Sequence, residues 1–211
     1  MNVMPGEAGY PAEIEITLPE NMLAIPFGSS EAEVVAEHED GTRTWRYEHN
    51  GAGGILYAGD YIREDIEAGG MTIEFYYGRK HQAVMEAAQA VDAVKEVVDY
   101  CTEHYGSLSF GTGETLKLIQ SRVAGGGYAT TGASLLDEAD FTAANLGNTE
   151  KGGGAGEVMI HELVHQWWGL GNMFDTSDPT SPWSAEGLTV YTTYRIVKEL
   201  YGEDYAREHY V

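Results

Sequence analysis

The hydrophobic pattern of this chain changes period once, near residue 81, and that switch constrains the fold more than any other feature. Upstream, Ile14, Ile16 and Leu18 alternate with Glu13, Glu15 and Thr17, a period of two that marks a strand with one buried face. Residues 32–38 and 42–49 flank Asp40-Gly41, which reads as a hairpin closed by a type I′ turn with positive φ at both central positions. Two further strands are expected at 55–61 and 71–77, on either side of Glu67-Ala68-Gly69-Gly70. From residue 81 the spacing changes. Val84, Ala87, Ala88, Val91, Val94, Val97, Val98 and Cys101 recur at steps of three and four, predicting one long amphipathic helix ended by Gly106. Placing the domain boundary at the switch gives a β-rich N-terminal region, 1–80, and a second region, 81–211. The expected class is α+β.

Composition narrows the functions available. The chain has 211 residues, 43% of them hydrophobic and 11% aromatic, which is globular composition and excludes a disordered or fibrous chain. Twelve Lys and Arg against 34 Asp and Glu give a net charge of −22, and no Lys or Arg precedes Arg43. Such a surface repels phosphate backbones and anionic headgroups, so neither a nucleic-acid partner nor electrostatic membrane docking is expected. No run approaches the roughly 18 apolar residues of a membrane span, so the chain itself is not expected to insert. Cys101 lies on the apolar helical stripe and reads as a small core residue.

The chemistry lies in the second region. Strands are expected at 115–120 and 128–136, then a glycine-rich linker at 151–156, a helix at 157–169, and another from a Ser184 N-cap to residue 200. The first of these helices carries His161-Glu162-Leu163-Val164-His165. Four residues on a helix put the two imidazoles about 40° apart and one turn above each other, within reach of one ion. Glu162 stands beside them without being forced into the coordination sphere. Neutral imidazoles hold Zn²⁺, an open position holds water, and an adjacent carboxylate takes that water's proton. The polar arc of the helix holds His161, Glu162, His165 and Gln166; Met159, Ile160, Leu163, Val164, Trp167 and Trp168 occupy the rest. A catalytic zinc needs a third protein ligand, and Glu186, in the first turn of the next helix, fits. Asp175 and Asp178 are nearer, in a loop where turn and cap roles suit them better.

His161-Glu162-Leu163-Val164-His165-Gln166-Trp167-Trp168-Gly169, followed by Trp183-Ser184-Ala185-Glu186-Gly187-Leu188-Thr189-Val190-Tyr191, resembles the gluzincin metallopeptidases of the aminopeptidase N type. Those read HExxHxWxG and then WxNEG. The resemblance implies a thermolysin-like α/β catalytic region built round the HExxH helix, with an N-terminal antiparallel β region packed on it. It implies Zn²⁺ on His161, His165 and Glu186, Glu162 as general base, and a peptide or protein substrate. It also implies a catalytic region truncated at its C-terminal helical part, a piece of a longer polypeptide. Three departures stand out. Twenty residues separate His165 from Glu186, where the family has eighteen. The segment 126–132, which matches the family's substrate-binding strand, contains no acid to hold a peptide's amino terminus. Gly127, Tyr128, Ala129 and Thr130 can still pair with an extended peptide by strand addition. Third, none of Tyr191, Tyr194, Tyr201, Tyr205 and Tyr210 lies at the family's distance for a transition-state-stabilising tyrosine. A zinc-containing peptide-binding module without turnover is the alternative reading.

Overall fold

Residues 11–26, 30–50, 56–108, 115–122, 126–130, 132–146, 156–170 and 183–210 are described by a computed structural model. The alternating N-terminal sequence forms β1 (Pro11–Pro19), whose Ile14, Ile16 and Leu18 are half-buried while Glu13, Glu15 and Thr17 face solvent. β1 pairs antiparallel with β4 (Thr42–Asn50), setting Ile14 opposite Tyr47 and Ile16 opposite Trp45. β4 also pairs with β3 (Glu33–Glu37), giving a three-stranded sheet in the order β1-β4-β3. The sequence did not signal β2 (Leu23–Pro26), which pairs with β5 (Leu56–Gly59) as a separate ribbon.

The turn at Asp40-Gly41 is not the expected type I′. Gly41 has φ +78°, but Asp40 is not among the positive-φ residues. The amide of Gly41 donates to the His38 carbonyl and the amide of His38 to the Thr42 carbonyl, so three residues form the loop. A three-residue loop ends in one left-handed residue, the place Gly41 takes. The Asp40 carboxylate accepts from the Thr42 amide and hydroxyl, which holds the loop in this form. The two-glycine turn occurs instead at Gly69 (φ +59°) and Gly70 (φ +77°), between β6 (Tyr61–Ala68) and β7 (Met71–Gly78). A Cβ on Gly69 would lie 2.3 Å from Thr102 Oγ1, so the turn fits only with glycine there.

The chain divides into two compact units, Met1–Tyr61 and Ile62–Val211. The division falls before the period switch at residue 80, because β6 and β7 belong to the sheet of the second unit. That sheet has the order β6-β7-β8-β10-β9, with β8 Thr115–Ser121, β9 Gly127–Thr130 and β10 Ala133–Asp137. β7, β8 and β10 are mutually parallel, and β9 is an antiparallel edge strand. The single strand expected at 128–136 is therefore a hairpin, reversing at Gly132 (φ +80°).

The helix expected over 81–105 is broken. A 3-10 turn at Arg79–His81 leads into α1 (Gln82–Ala87); Gln89 then adopts φ +52°, and α2 runs over Ala90–Tyr105. The core explains the break. α1 buries Met85 and α2 buries Ala90, Ala93, Val94, Val97, Val98 and Cys101. Met85 and Ala90 are five residues apart, about 140° on an unbroken helix, and could not share one face. The left-handed residue resets the phase. Cys101 is fully buried, as expected of a core residue, and burial pushes its thiol far above the usual range. Beyond the sheet lie α3 (Ala143–Leu146), α4 (Glu157–Val164), α5 (Leu188–Tyr201) and α6 (Glu203–Tyr210). α4 passes through the middle of the core: Met159, Ile160, Leu163 and Val164, with Trp167 just beyond its end, are all at most 3% exposed. Among the described residues, no helix is long and apolar enough to cross a membrane. Residues 151–155 of the linker expected at 151–156, and the loop holding Asp175 and Asp178, lie outside the described residues.

Candidate metal centre

Regular α4 ends at Val164, short of the expected residue 169, but His165 keeps helical dihedrals (φ −57°, ψ −25°) and its amide bonds the His161 carbonyl. The one-turn stacking of the two histidines is thus retained. After it the backbone tightens to i→i+3 bonds, Gln166 to Leu163 and Trp167 to Val164. Three side chains hold this turn. The Trp167 indole N–H donates to the Gly106 carbonyl at 2.8 Å, and the Trp168 indole donates to Thr192 Oγ1 at 2.8 Å. Gln166, 1% exposed, accepts from the Gly132 amide and donates to the Thr130 carbonyl, clamping the end of α4 to the β9–β10 hairpin.

Glu186 reaches the histidines from a π-helical turn, Trp183–Gly187, that precedes α5. Ser184 is therefore not the N-cap of α5: the wide turn includes it, and Gly187 takes the capping position without a side-chain bond. Gly169 (φ +93°) makes room for this turn, since a Cβ there would lie 3.0 Å from the Ala185 Cβ.

The three donor atoms form a nearly equilateral triangle. His161 Nε2 and His165 Nε2 are 3.1 Å apart, and Glu186 Oε2 is 3.3 Å from the first and 3.5 Å from the second. Ligands about 2.0–2.1 Å from a tetrahedral zinc ion stand roughly 3.4 Å from each other, so the triangle matches one face of that polyhedron. The protonation pattern suits it as well. His165 Nδ1 lies 3.2 Å from the Trp168 carbonyl, an acceptor only, so Nδ1 donates there and Nε2 is the nitrogen turned to the triangle. Thr189 Oγ1, also 3.2 Å from Nδ1, steadies the ring from α5. Burial and the adjacent His165 hold His161 below the usual imidazole range, against the pull of Glu186, which favours the neutral ligating form. Two imidazoles and one carboxylate fit Zn²⁺.

Glu162 stands beside this triangle, 7% exposed, with its side chain laid against the backbone of Gly127. Its main-chain carbonyl accepts from Ser134 Oγ of β10 at 2.9 Å. Burial pushes its carboxyl up to about 7, and the neighbouring Glu186 charge adds to the rise. His161, Glu162, His165 and Glu186 line a cleft of about 400 Å³ whose opposite wall is Gly127, Tyr128 and Ala129. Tyr128 is 58% exposed at the rim, and β9 presents its outer edge without a partner strand among the described residues. Thr130 is not in this wall, and its carbonyl is taken by Gln166.

A second recess, about 310 Å³, shares Gly127, His161 and Glu162 with the first. Its remaining walls are Gly126, Glu157 and Val158 on one side and Val190, Thr193 and Tyr210 on the other. Of the five tyrosines, only Tyr210 lines a recess at the site. Tyr191 receives a bond from Arg195, Tyr194 packs edge-on against Tyr210, and Tyr201 against Tyr205. Sequence spacing could not single out Tyr210, because its place depends on α6 folding back on α5. The anchoring roles of Gln166, Thr189 and the Trp168 carbonyl were equally invisible, since each depends on a neighbour supplied by another element.

The fold is α+β, and its similarity to solved structures is to zinc metallopeptidases. The chain aligns with a two-domain M1 zinc metallopeptidase bound to L-arginine at a TM-score of 0.54 and 18% identity, covering 94% of this chain and 43% of the other. The M1 zinc metallopeptidase of Deinococcus radiodurans gives a TM-score of 0.51 and 17% identity, covering 94% and 42%. A mutant of the same enzyme bound to the substrate Tyr-Ser-Ala gives 0.54 and 18%, covering 94% and 43%. At this identity the likeness establishes the fold, and the chain spans less than half the length of these enzymes. No protein-family model matches the sequence, and no curated protein does.

Proposed function

We propose that this chain is the catalytic part of a zinc-dependent metallopeptidase of the aminopeptidase N-like gluzincin type. One observation carries the reading: a donor triangle of zinc dimensions next to a buried carboxylate, on the floor of a cleft walled by an open edge strand. His161, His165 and Glu186 would hold the ion. When bound, Zn²⁺ supplies Lewis-acid polarisation of a carbonyl and lowers the pKa of water. Glu162 accepts the proton of the attacking water and passes it to the leaving amine. Gly127 holds the Glu162 side chain in one position, so its proton-accepting oxygen is directed without a large entropic cost. The edge of β9 offers main-chain donors and acceptors to an extended peptide, and Tyr128 covers it at the rim. His165 is held in its ligating tautomer by the Trp168 carbonyl.

The test is metal content and cleavage measured together. Protein purified without chelators should carry about one zinc per chain and cleave a mixed peptide library in a chelator-sensitive manner, with loss of cleavage in Glu162→Gln. Zinc occupancy without cleavage would point instead to the non-catalytic peptide-binding module. Absence of zinc, with no zinc-dependent rise in Tm, would overturn both.

A further inference from the structure

The recess lined by Glu157 and Tyr210 adjoins the donor triangle, sharing His161 with it, and reaches Glu162. Glu157 opens α4 one helical turn before His161 and so lies on the same face of the helix. It forms no ion pair among the described residues. Opposite it, the Tyr210 hydroxyl is buried and lies against the Glu157 carboxylate, toward which it donates. Between these polar groups the walls are apolar, formed by Val158 and Val190, and the Thr193 hydroxyl donates back to the Thr189 carbonyl. No lysine or arginine is among the residues lining the recess. A carboxylate and a phenolic oxygen beside the apolar side chains of Val158 and Val190 match a cation carried on an aliphatic stem.

We infer that this recess is a side-chain subsite for a lysine or arginine residue of the bound peptide, with Glu157 meeting the cationic end and Tyr210 accepting a hydrogen bond from it. The inference rests on the metallopeptidase reading only for the peptide's presence in the cleft. Because the recess adjoins Glu162, the residue it receives flanks the bond placed over the metal centre. About 310 Å³ leaves room for a long side chain. Glu157 therefore discriminates by charge, whereas the edge strand grips main chain whatever the sequence.

The experiment titrates the zinc-loaded protein by NMR with N-acetyl-lysinamide and N-acetyl-norleucinamide, which lack a free α-amine and differ in the side-chain ammonium. The lysine probe should bind about tenfold tighter, equivalent to about 1.4 kcal/mol. Glu157→Gln should bring the ratio to within about threefold, and Glu157→Lys should turn the preference toward the α-amide of N-acetyl-glutamic acid. A change of preference with charge is not expected of a helix-capping role alone. Equal binding of the first two probes to the unaltered protein, or a ratio that survives Glu157→Gln, overturns the inference. Thermal melts show whether each variant folds; if Glu157→Lys does not, the Glu157→Gln ratio decides. Failure to cleave any peptide would count against the enzymatic reading while leaving these binding ratios measurable, so the two can fail separately. Free norleucinamide distinguishes a third outcome: if it matches the lysine probe, the recess holds an α-ammonium and the side-chain assignment is overturned.

Discussion

Gly127 and Glu162 cannot both carry a full side chain: a Cβ on Gly127 would lie 2.2 Å from Glu162 Cγ and 2.5 Å from its Cδ. The glycine is required by space and not by its dihedral angles, since its φ lies outside the left-handed region. The edge strand and the HExxH helix meet at this point. The direction of the Glu162 carboxyl is therefore set by a residue 35 positions upstream.

Gly127→Ala should push Glu162 away from the cleft without touching a donor atom. Zinc content should stay near that of the unaltered protein while peptide cleavage falls by about 10²-fold, the usual scale for misplacing a catalytic group by about an ångström. Cleavage within twofold of normal would show that Glu162 adapts and that the contact is not a constraint.

Glu162→Gln keeps the shape of the side chain and removes the base. Cleavage should drop by about 10²–10⁴-fold with zinc retained, because the residue stands outside the donor triangle. Loss of zinc in this variant would place Glu162 among the ligands.

Replacing His161, His165 or Glu186 with Ala should each weaken zinc binding. In the unaltered protein, zinc at a hundred times its Kd should stabilise the fold by about 2.7 kcal/mol, read as a rise in Tm that EDTA abolishes. The three variants should lose most of that rise. A full rise in Glu186→Ala would mean that another group, such as Asp175 or Asp178, completes the site.

Gln166→Leu should cost about 1–3 kcal/mol, since it takes the partner from the buried Gly132 amide and from the half-buried Thr130 carbonyl. Chemical denaturation measures this directly. A loss below about 0.5 kcal/mol would show that the hairpin finds other partners.

Acid should act through Asp99, remote from the site. Partial burial raises this carboxyl, but bonds from Lys95 and the Gly69 amide, with the Lys95 charge, outweigh burial and hold it below 3.8. A depressed folded pKa stabilises the protein above the unfolded value and loses that contribution as pH falls through the folded one. Asp99→Asn should therefore flatten the stability curve below about pH 4. An unchanged acid limb in urea titrations at several pH values would dismiss this carboxyl as a contributor.

The α+β class and the one-turn stacking of His161 and His165 were legible because periodicity and helix geometry depend on local sequence. Glu186 was expected on an α-helix and stands on a π turn, because what widens the backbone there is the close approach of Gly169 to Ala185, a tertiary contact. The break at Gln89 escaped notice for a related reason. Val84, Ala88 and Val91 continue the helical period, and only the sheet beneath reveals that Met85 and Ala90 are the buried pair. Gly132 carried the signal that separates β9 from β10, but it sat inside a run of small residues that also reads as one strand. The recess at Tyr210 had no local trace at all.

Trp167 joins the turn that presents His165 to Gly106, the residue that closes α2. Because the indole is fully buried, the end of α2 cannot fray without exposing that ring and loosening the histidine turn. The two ends therefore belong to one cooperative unit of local unfolding, although they lie 61 positions apart in the chain. Holding an ion at the triangle would then slow amide exchange in the last turn of α2, a segment that contributes no donor to it.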